Sequence, residues 1–416
     1  MKVLLMLLNV GFNVTYHQGV SVLYSYLKSK GCNINFIEVD SINDQLYDQI
    51  LRISPSLIGL SVNTHMIGNA IDITKKIKKL APNIPLFVGG IHPTLNPSCI
   101  NDLFVDGICI GEGEYAFAEL VNKIDNNEKY INVKNFWFKK NNRIIKNNQR
   151  ELIKNLDDLP DPDYLIFRKY KKPRFIFTRG CPFGCSYCCN NALIKKFKGL
   201  GQYVRFQSVE KSINQIIKIT EKIDFKHFVI DDDTFTLNKK WVIDFCKKMM
   251  NINKTFECNV RIETVDSEIL KWLKKAGCEM IKVGIESGDE DIRKNILNRH
   301  MTNQKIIETF NAAKKFGLKT FSFNMVGIPE ESEKNIMKTV ELNRQIQPDK
   351  VQVSIFYPYP GTDLGDYCVK QGYITNKSYN SYFDNSILEL PTISKEKIEY
   401  YAANFNDLVY GKKFEI

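Results

Sequence analysis

The stretch Cys181-Pro-Phe-Gly-Cys185-Ser-Tyr-Cys188 places three thiols within eight residues and guides the interpretation of the whole chain. It follows the apolar, aromatic run Phe175-Ile-Phe-Thr-Arg-Gly180, which predicts a β-strand that ends at the cysteines. Gly180, Pro182 and Gly184 are residue types that favour tight turns. A strand that ends in a tight, cysteine-rich loop is typical of a metal centre, so we expect a metal site here.

The composition is that of an ordinary globular protein with roughly two or three domains. Of the 416 residues, 44% are hydrophobic and 25% are charged. The formal net charge is +11, but the lysines are scattered in short pairs such as Lys75-Lys76 and Lys78-Lys79. Such pairs are typical of the solvated face of a helix, so we do not expect a nucleic-acid partner.

The sequence also bears on where the protein works. No segment approaches the ~20 apolar residues that a membrane span requires. The apolar start Met1–Leu8 lacks a small-residue cleavage site and predicts a buried first strand, not a signal peptide. Most of the 11 cysteines are isolated in the sequence, which favours a reducing cytoplasm over a disulfide framework.

Up to about Ile124, short apolar runs alternate with helical patterns. The predicted strands are Lys2–Leu8, Asn33–Glu38, Leu57–Val62, Pro85–Val88 and Gly107–Ile110, and the predicted helices are Val20–Lys30, Asp44–Ile53, Ile67–Lys79 and Tyr115–Ile124. This alternation predicts an α/β domain over residues 1–130, with a doubly wound parallel sheet that carries helices on both faces. Ligands of such sheets bind at the carboxyl ends of the strands.

Four segments follow these predicted strands: Asn9–Gly19, Ser61–Thr64, Gly89–Thr94 and Gly111–Glu114. Glycines let a ligand approach the backbone closely, and hydroxyls and N–H groups at helix starts suit phosphate or amide-rich ligands. Tight βα turns alone would have a similar composition. The last three segments resemble the cobalamin-binding domain that precedes many radical S-adenosylmethionine (SAM) enzymes. The resemblance implies cobalamin contacts from Ser61, Thr64, Gly89, Gly90, Gly111 and Glu112.

His17 and His92 do not have the spacing expected of an axial cobalt ligand. Another class of cobalamin-binding proteins supplies such a ligand from an Asp-x-His-x-x-Gly motif, which this chain lacks. His17 and His92 do not have that spacing, and we interpret both as loop or packing residues.

Residues 131–172 form a predicted connector. Asn135–Lys139 and Arg143–Lys146 flank a polar turn at Lys140-Asn-Asn142 and predict a β-hairpin. Pro160 and Pro162 then interrupt regular structure, so we expect a linker before residue 173.

Three interpretations compete for Cys181, Cys185 and Cys188. A structural zinc site needs four ligands, commonly two Cys-x-x-Cys pairs, and no second pair follows downstream. A redox dithiol needs Cys-x-x-Cys in a thioredoxin-like context. A four-iron cluster held by three thiolates leaves one iron open. The Cys-x-x-x-Cys-x-x-Cys spacing resembles the signature of the radical SAM superfamily. It implies a 4Fe–4S cluster whose open iron chelates SAM, with Tyr187 near the adenine. We interpret Cys189 as a core or spare thiol.

Strand and helix patterns continue downstream. The predicted strands are Arg174–Thr178, His227–Ile230, Thr255–Val260, Met280–Gly284, Lys319–Val326 and Lys350–Ile355, and the predicted helices are Val209–Thr220, Lys239–Met250, Ser267–Ala276, Asn303–Phe316 and Glu331–Ile346. Six β/α units over residues 173–370 predict a partial (β/α)6 TIM-like barrel, in which sites gather at the carboxyl ends of the strands.

Polar residues follow these strands as well: Asp231–Phe235, Arg261–Glu263, Glu286–Gly288, Gly327–Glu331 and Pro358–Thr362. They resemble the cobalamin-dependent subgroup of radical SAM enzymes. Besides Tyr187, the resemblance implies SAM contacts from Asp232, Asp233, Arg261, Glu286, Ser287 and Gly327. For Asp231 and Glu330 a helix cap or a solvated turn is the favoured interpretation. Glu330 also departs from the family pattern Gly-x-Pro-Gly-Glu-Thr, which has glycine at that position.

Residues 371–416 form a predicted short C-terminal helical tail, whose helical spacing over Ser394–Val409 indicates packing. Many members of the family carry a larger C-terminal region over the substrate. A short tail implies an open site, a bulky substrate or a substrate held by a partner.

The two domains together predict a radical methyltransferase. The resemblance implies that the reduced cluster cleaves SAM to methionine and a 5′-deoxyadenosyl radical. The radical would abstract hydrogen from an unactivated carbon of a small molecule or peptide, and methylcobalamin would supply the methyl group. An electron donor such as flavodoxin or ferredoxin is implied.

Two alternatives stay open at this point. One is a radical SAM cyclase or rearrangement enzyme, with or without bound cobalamin, and the other is a cobalamin carrier or sensor. The methylthiotransferases of transfer RNA fit less well, because Cys32, Cys99 and Cys109 do not resemble their second cysteine set and the tail is short.

Overall fold

The computed structural model describes residues 1–10, 16–141, 143–167, 169–170, 172–375 and 385–411. The chain forms two compact units, the first comprising Met1–Tyr170 with Phe197–Gln202 and the second Lys171–Lys196 with Tyr203–Ile416. Parts of the predicted loop after the first strand (11–15), of the hairpin turn (142), of the linker (168 and 171) and of the tail (376–384 and 412–416) lie outside the described residues. Within the described ranges, no helix combines the length and the apolar composition of a transmembrane span.

The first unit is built on one seven-stranded sheet of order β2-β1-β3-β4-β5-β6-β7. Its strands are β1 (Lys2–Leu8), β2 (Asn33–Val39), β3 (Leu57–Ser61), β4 (Leu86–Gly89), β5 (Gly107–Cys109), β6 (Phe136–Lys140) and β7 (Arg143–Lys146). Its helices are α1 (Gln18–Ser29), α2 (Asp44–Ile53), α3 (Ile67–Leu80), α4 (Ile91–Leu95) and α5 (Glu114–Asp125). Strands β1 to β5 pair in parallel and the hairpin β6–β7 extends the sheet antiparallel at one edge. The predicted parallel sheet is therefore confirmed.

The apolar sequence of β1 explains its central place. Six of its seven residues are buried, as expected for a strand covered on both faces. The hairpin contributes Phe136 and Phe138 to the core, where both rings pack edge-on against Phe87 of β4. The hairpin is thus part of the first unit's core and not a detached connector.

The second unit contains six parallel strands in the order β15-β14-β13-β12-β11-β8. Its strands are β8 (Arg174–Phe175), β9 (Thr178–Arg179), β10 (Arg205–Phe206), β11 (His227–Ile230), β12 (Thr255–Val260), β13 (Cys278–Glu286), β14 (Lys319–Val326) and β15 (Lys350–Ile355). Its helices are α6 (Cys189–Lys196), α7 (Val209–Thr220), α8 (Lys239–Met249), α9 (Ser267–Lys275), α10 (Asn303–Lys315), α11 (Glu333–Ile346), α12 (Asp363–Gln371) and α13 (Lys395–Tyr410). This arrangement confirms the predicted partial (β/α)6 barrel.

The predicted strand Arg174–Thr178 differs from expectation, because it is divided into β8 and β9. At the break, Oδ1 of Asp232 accepts hydrogen bonds from the backbone N–H groups of Phe177 and Thr178, at 2.8 and 2.7 Å. These N–H groups bond to a side chain in place of a neighbouring strand. Strand β9 then leaves the six-stranded sheet and pairs antiparallel with β10.

The C-terminal helix α13 packs as the sequence predicts. Ile398, Phe405 and Val409 are buried in the same core cluster as residues of α11 and β15. The Arg344 guanidinium of α11 donates two hydrogen bonds to the carbonyl oxygen of Leu408, at 2.9 and 2.7 Å. The described part of the tail is therefore an integral layer of the second unit.

Candidate functional site

The cysteine loop is held in shape by backbone contacts. Gly180 has φ +88°, and a Cβ atom there would lie 2.7 Å from the carbonyl oxygen of Tyr203, so only glycine fits without strain. Further along, the N–H of Ser186 donates to the carbonyl oxygen of Leu297 at 3.1 Å, and its own carbonyl oxygen accepts from the N–H of Leu364 at 3.0 Å. The loop is thus anchored by three separate segments of the second unit.

The three thiols of the loop sit in a polar, largely buried setting. Cys181 and Cys185 are buried and Cys188 is half-buried. The Sγ of Cys181 lies 3.9 Å from Oγ1 of Thr234, and the Asn190 amide donates to Sγ of Cys188 at 3.8 Å. The adjacent Cys189 thiol donates a hydrogen bond that lowers the pKa of Cys188 to about 7, whereas burial raises the pKa of Cys181 above its ordinary value.

Two arginines approach the middle cysteine. Nη1 of Arg261 lies 3.2 Å from Sγ of Cys185, and Nη1 of Arg299 lies 3.7 Å from the same sulfur. Arg261 also forms a two-bond ion pair with Glu263, and its guanidinium stacks 3.7 Å above the ring centre of Phe183. Arg299 was not predicted from the sequence.

The thiols open onto a cavity of about 400 Å³ at the carboxyl ends of the barrel strands. The structure brings the three cysteines together in its wall with four of the predicted SAM residues: Tyr187, Asp233, Arg261 and Glu286. A volume of this size suits a small-molecule ligand. These four residues provide an aromatic ring, two carboxylates and a guanidinium, which are the kinds of group that a nucleoside joined to an amino acid would need.

Glu286 reaches this cavity through an irregularity at the end of β13. The register with β14 shifts between Gly284 and Glu286, and Glu286 has φ +69°, a region that L residues rarely adopt. A Cβ atom at Gly284 would overlap Oε1 of Glu286, so the carboxylate occupies space that a side chain there would fill. Burial raises the pKa of Glu286, and the nearby charge of Arg299 opposes this rise. Backbone strain of this kind clusters at functional sites.

A cluster of charged side chains forms another part of the cavity wall. Arg174 forms a two-bond ion pair with Asp231, and the buried ammonium of Lys282 lies 3.8 Å from Oδ1 of Asp231 and 3.5 Å from Oε1 of Glu257. The favoured interpretation of Asp231 as a cap or solvated turn is therefore wrong, because this carboxylate lines the cavity between two cations.

Three predicted SAM residues do not line the cavity. Asp232 is fully buried and bonds the backbone at the break between β8 and β9. Ser287 is also fully buried, and its hydroxyl accepts from the N–H of Asp289 at 3.2 Å. The N–H of Gly327 is taken by Oε2 of the buried Glu331, at 2.8 Å. In these contacts the three residues shape the loops around the site.

Glu330, which stands where the family pattern has glycine, adopts a backbone conformation that favours glycine. Glu330 has φ +67°, a conformation that glycine adopts more readily. Its carboxylate accepts a hydrogen bond from the Tyr367 hydroxyl at 2.9 Å and is exposed. This agrees with the interpretation of Glu330 as a residue of a solvated turn.

The donor set fits an iron–sulfur cluster. Within the described residues, no group of three His, Cys, Asp or Glu side chains converges on a single metal ion. A four-iron cluster does not require such convergence, because each thiolate binds a different iron. The guanidinium groups beside Cys185 place positive charge next to one of the three sulfur atoms that would bind the cluster. None of the 11 cysteines, all within the described ranges, forms a disulfide.

In the first unit, the predicted cobalamin segments meet at one edge of the sheet. Strands β3, β4 and β5 are neighbours, so their carboxyl ends bring Ser61, Gly89, Gly90 and Gly111 close together. Gly90 has φ +105°, and a Cβ atom there would lie 2.7 Å from the carbonyl oxygen of Val62. These four residues are half-buried, which leaves a rim of small residues and backbone. Such a rim fits a large ligand that contacts the main chain closely.

Two predicted cobalamin residues have protein partners already. Oε2 of Glu112 accepts from the N–H of Ile153 at 2.7 Å, which ties the segment after the hairpin to this edge. The buried Thr64 hydroxyl pairs with Nδ1 of His92 at 3.2 Å. Burial lowers the pKa of His92 to about 4, so this imidazole is neutral at pH 7. His17 caps α1 by accepting from the N–H of Val20 at 3.2 Å. Both histidines are therefore in packing and capping roles.

Sequence reasoning missed Arg299 and Lys282. Lys282 belongs to the alternating row Lys282, Gly284 and Glu286 of β13, all of which face the cavity. Side chains along a strand alternate between its two faces, so a lysine within this largely apolar strand could have indicated a polar site on the face that Lys282 shares with Glu286. Arg299 lies after the π-helical turn Ile292–Ile296 and does not directly follow a strand in the sequence, and no pattern in the sequence indicates it.

Comparison with known proteins finds a family match in each of the two units. Residues 175–342 match the Radical SAM superfamily and residues 5–121 match the B12 binding domain. An uncharacterised methyltransferase of Pyrococcus horikoshii is 28% identical over 361 residues, which cover 84% of this chain and 77% of that protein. The anaerobic magnesium-protoporphyrin IX monomethyl ester cyclase of Rubrivivax gelatinosus is 25% identical over 368 residues, covering 83% of this chain and 65% of the cyclase.

Among solved structures, the fold is similar to the radical SAM methyltransferase TsrM of Kitasatospora setae with cobalamin and a 4Fe–4S cluster bound. The TM-score is 0.77 at 14% identity, over 98% of this chain and 88% of TsrM. The B12 binding match lies within the first unit, and the radical SAM match lies largely within the second. The chain belongs to the cobalamin-dependent radical SAM enzymes, whose cofactors are a 4Fe–4S cluster, SAM and cobalamin.

Proposed function

We propose that this enzyme cleaves SAM reductively at its 4Fe–4S cluster and transfers a methyl group, via cobalamin, to an unactivated carbon. The observation that carries the proposal is the presence, in one chain, of a three-cysteine cavity and a separate glycine-rich sheet edge of the B12 binding type. The similarity to the Pyrococcus methyltransferase over most of both chains supports methyl transfer.

The residues of the cavity have distinct roles in this proposal. When bound, the cluster supplies the electron that cleaves a carbon–sulfur bond of SAM. Cys181, Cys185 and Cys188 hold it, and Arg261 orients the SAM carboxylate through charge-assisted hydrogen bonds. Glu286 has a left-handed backbone and its carboxylate lines the cavity, where it would accept hydrogen bonds from the ribose hydroxyls.

Tyr187 and Asp233 complete the proposed SAM pocket. Tyr187 offers an aromatic face for the adenine, and Asp233 lines the wall near the thiols. The side chains around the thiols are largely buried, which limits the access of water to reactive species.

A second candidate function is radical cyclisation without methyl transfer. The resemblance to the Rubrivivax cyclase favours it, although this chain covers 65% of that protein. A cobalamin carrier or sensor would not need the intact three-cysteine loop or the cavity beside it.

The proposal is tested with protein purified anaerobically, reconstituted with iron and sulfide, and supplied with cobalamin, SAM and a chemical reductant. We expect about four irons per chain and formation of deoxyadenosine. S-adenosylhomocysteine in addition to deoxyadenosine supports methyl transfer, whereas deoxyadenosine alone with a modified substrate supports cyclisation. Bound zinc without SAM cleavage contradicts the proposal.

Matched serine variants separate the enzyme from a carrier. Cys185→Ser should lose iron and SAM cleavage, while Cys32→Ser, a half-buried thiol of the first unit, should keep both. A Cys185→Ser protein that keeps its iron and its turnover contradicts the assignment of the loop.

The partners also belong to this proposal. A one-electron donor such as flavodoxin or ferredoxin would reduce the cluster, and a small molecule or peptide would be the methyl acceptor. The free thiols fit a reducing compartment such as the cytoplasm.

A further inference from the structure

Two cationic groups contact the same thiol of the cluster loop. Nη1 of Arg261 and Nη1 of Arg299 lie 3.2 and 3.7 Å from Sγ of Cys185. Cys181 and Cys188 have only neutral polar neighbours in the corresponding contacts, a threonine hydroxyl and an asparagine amide. The positive charge beside the thiols is therefore concentrated at Cys185.

The charges of the two arginines are not compensated equally. Glu263 binds Arg261 with two hydrogen bonds, at 2.6 and 3.3 Å, and so neutralises much of its field. The nearest carboxylate to Arg299 is that of Glu286, at 4.0 Å, which is too long for a hydrogen bond.

The remaining donors of Arg299 go to uncharged acceptors. They contact the carbonyl oxygen of Gly284, the Tyr187 hydroxyl and the Met301 sulfur, and Nε has no partner among the described residues. The Arg299 side chain is 5% exposed, so water screens its charge little. The charge of Arg299 is therefore less fully compensated than that of Arg261, because Glu286 faces it as an ion pair at 4.0 Å without a hydrogen bond.

We propose that Arg299 sets the reduction potential of the cluster by stabilising negative charge at Cys185, with a smaller contribution from Arg261. Reduction adds one electron to the cluster, and a neighbouring positive charge or an N–H···S hydrogen bond stabilises that added charge. Arg299 is in this sense a positioning residue, which acts through the cysteine. The inference rests on the cluster of the proposed function but not on methyl transfer.

The test is a redox titration of the reconstituted protein without SAM. The electron paramagnetic resonance signal of the reduced cluster measures the fraction reduced at each potential. Arg299→Met should lower the ratio of reduced to oxidised cluster about tenfold at a fixed potential, a shift of about 59 mV for one electron. Arg299→Lys keeps the charge and should keep most of the wild-type potential. A purely structural role would not move the potential of a fully loaded cluster.

Glu263 provides a control of opposite sign. Glu263→Gln removes the carboxylate that compensates Arg261, so the potential should rise, although no group is added near the cysteine. This variant leaves Arg299 unchanged and tests the contribution of Arg261. Where Arg299→Met fails to fold or to load iron, Arg299→Gln removes the same charge and should lower the potential likewise. Unequal iron content is controlled by normalising each signal to the iron bound.

The outcomes separate this inference from the proposed function. Potentials that stay at the wild-type value in both Arg299→Met and Glu263→Gln, with weaker SAM binding in the former, would assign Arg299 to SAM and overturn the inference alone. A wild-type protein that forms no cluster overturns both. A lower potential in Arg299→Met with a higher one in Glu263→Gln supports the inference whichever reaction the enzyme completes.

Discussion

At the residue scale, the role of Asp232 changes most between sequence and structure. Its Oδ1 accepts three hydrogen bonds, from two backbone N–H groups and the hydroxyl of Thr178. Asp232→Ala leaves these buried donors without an acceptor and should lower the free energy of unfolding by about 3 kcal/mol. Asp232→Asn keeps an acceptor oxygen and should lower it by less. Urea unfolding of the cluster-free protein measures both, and SAM affinity that falls in Asp232→Asn with no loss of stability would favour a ligand contact instead.

Glu331 predicts a dependence of stability on pH. Burial raises its pKa to about 8, against the opposing hydrogen bonds from the N–H groups of Ile328 and Gly327. In the unfolded chain a glutamate ionises near pH ~4.3. Between that pH and about 8 the folded protein retains a proton that the unfolded chain releases, so this contribution to stability falls as pH rises and levels off above the folded pKa.

Glu331→Gln should remove this fall. The variant should gain stability relative to wild type between pH 5 and pH 8.5, as measured by urea unfolding at both values. Glu341→Gln, which changes an exposed glutamate of α11, is the matched control and should follow wild type. An equal difference between Glu331→Gln and wild type at both pH values would contradict the raised pKa.

The sequence could predict site residues that lie close together in the chain and form a recognisable motif. Cys181, Cys185 and Cys188 form such a set, and the structure places their thiols in one cavity wall. The sequence could not show which of Asp231 and Asp232 faces the cavity, because the direction of each side chain depends on how the chain leaves β11. Asp231 faces the cavity and Asp232 faces the core, an alternation that is visible only once the strand is in place.

At the scale of elements, the loop after β14 depends on the left-handed conformation of Gly327. Gly327 has φ +77°, and a Cβ atom there would lie 2.8 Å from Cγ2 of Ile398 on α13. Gly327→Ala should lower the free energy of unfolding by about 2 to 4 kcal/mol, from the backbone conformation and the overlap together. Gly372 has φ +72°, and a Cβ atom there would meet nothing within 4 Å. Gly372→Ala therefore has only the cost of the backbone conformation and should lower the free energy of unfolding by about 1 kcal/mol. Equal losses in chemical denaturation would show that the packing against α13 contributes nothing.

Elements were predictable where local pattern decides them and not where distant residues do. The helix Asp44–Ile53 has the predicted bounds because Asn43 caps it by accepting from the N–H of Leu46. The division of the first barrel strand was not predictable, since its cause, Asp232, lies 55 residues beyond Phe177. The hairpin was predicted, but its two phenylalanines in the core of the first unit were not.

At the scale of the whole molecule, we expect the first unit to respond to cobalamin whether or not the second unit holds a cluster. A ligand that binds only the folded protein stabilises it by about 2.7 kcal/mol when its concentration is a hundred times the dissociation constant. Hydroxocobalamin should therefore raise the thermal midpoint of the wild-type protein. The same rise is expected in Cys185→Ser, because the serine replaces a residue of the second unit and the predicted cobalamin segments lie in the first. A rise that disappears in the serine variant would contradict this independence.

A Cβ atom at position 284 would overlap the Glu286 carboxylate, and this overlap constrains how the site can change in evolution. A side chain at position 284 would compete with the carboxylate for one space, so the two positions should vary together among related sequences. Lineages that exchange Glu286 for a shorter residue are free to acquire alanine or serine at position 284, whereas those that keep it must keep glycine. Reversal then requires two ordered changes, with glycine first. A mutant library that randomises both positions should show this order as a strong pairwise dependence in the sequences that retain SAM binding.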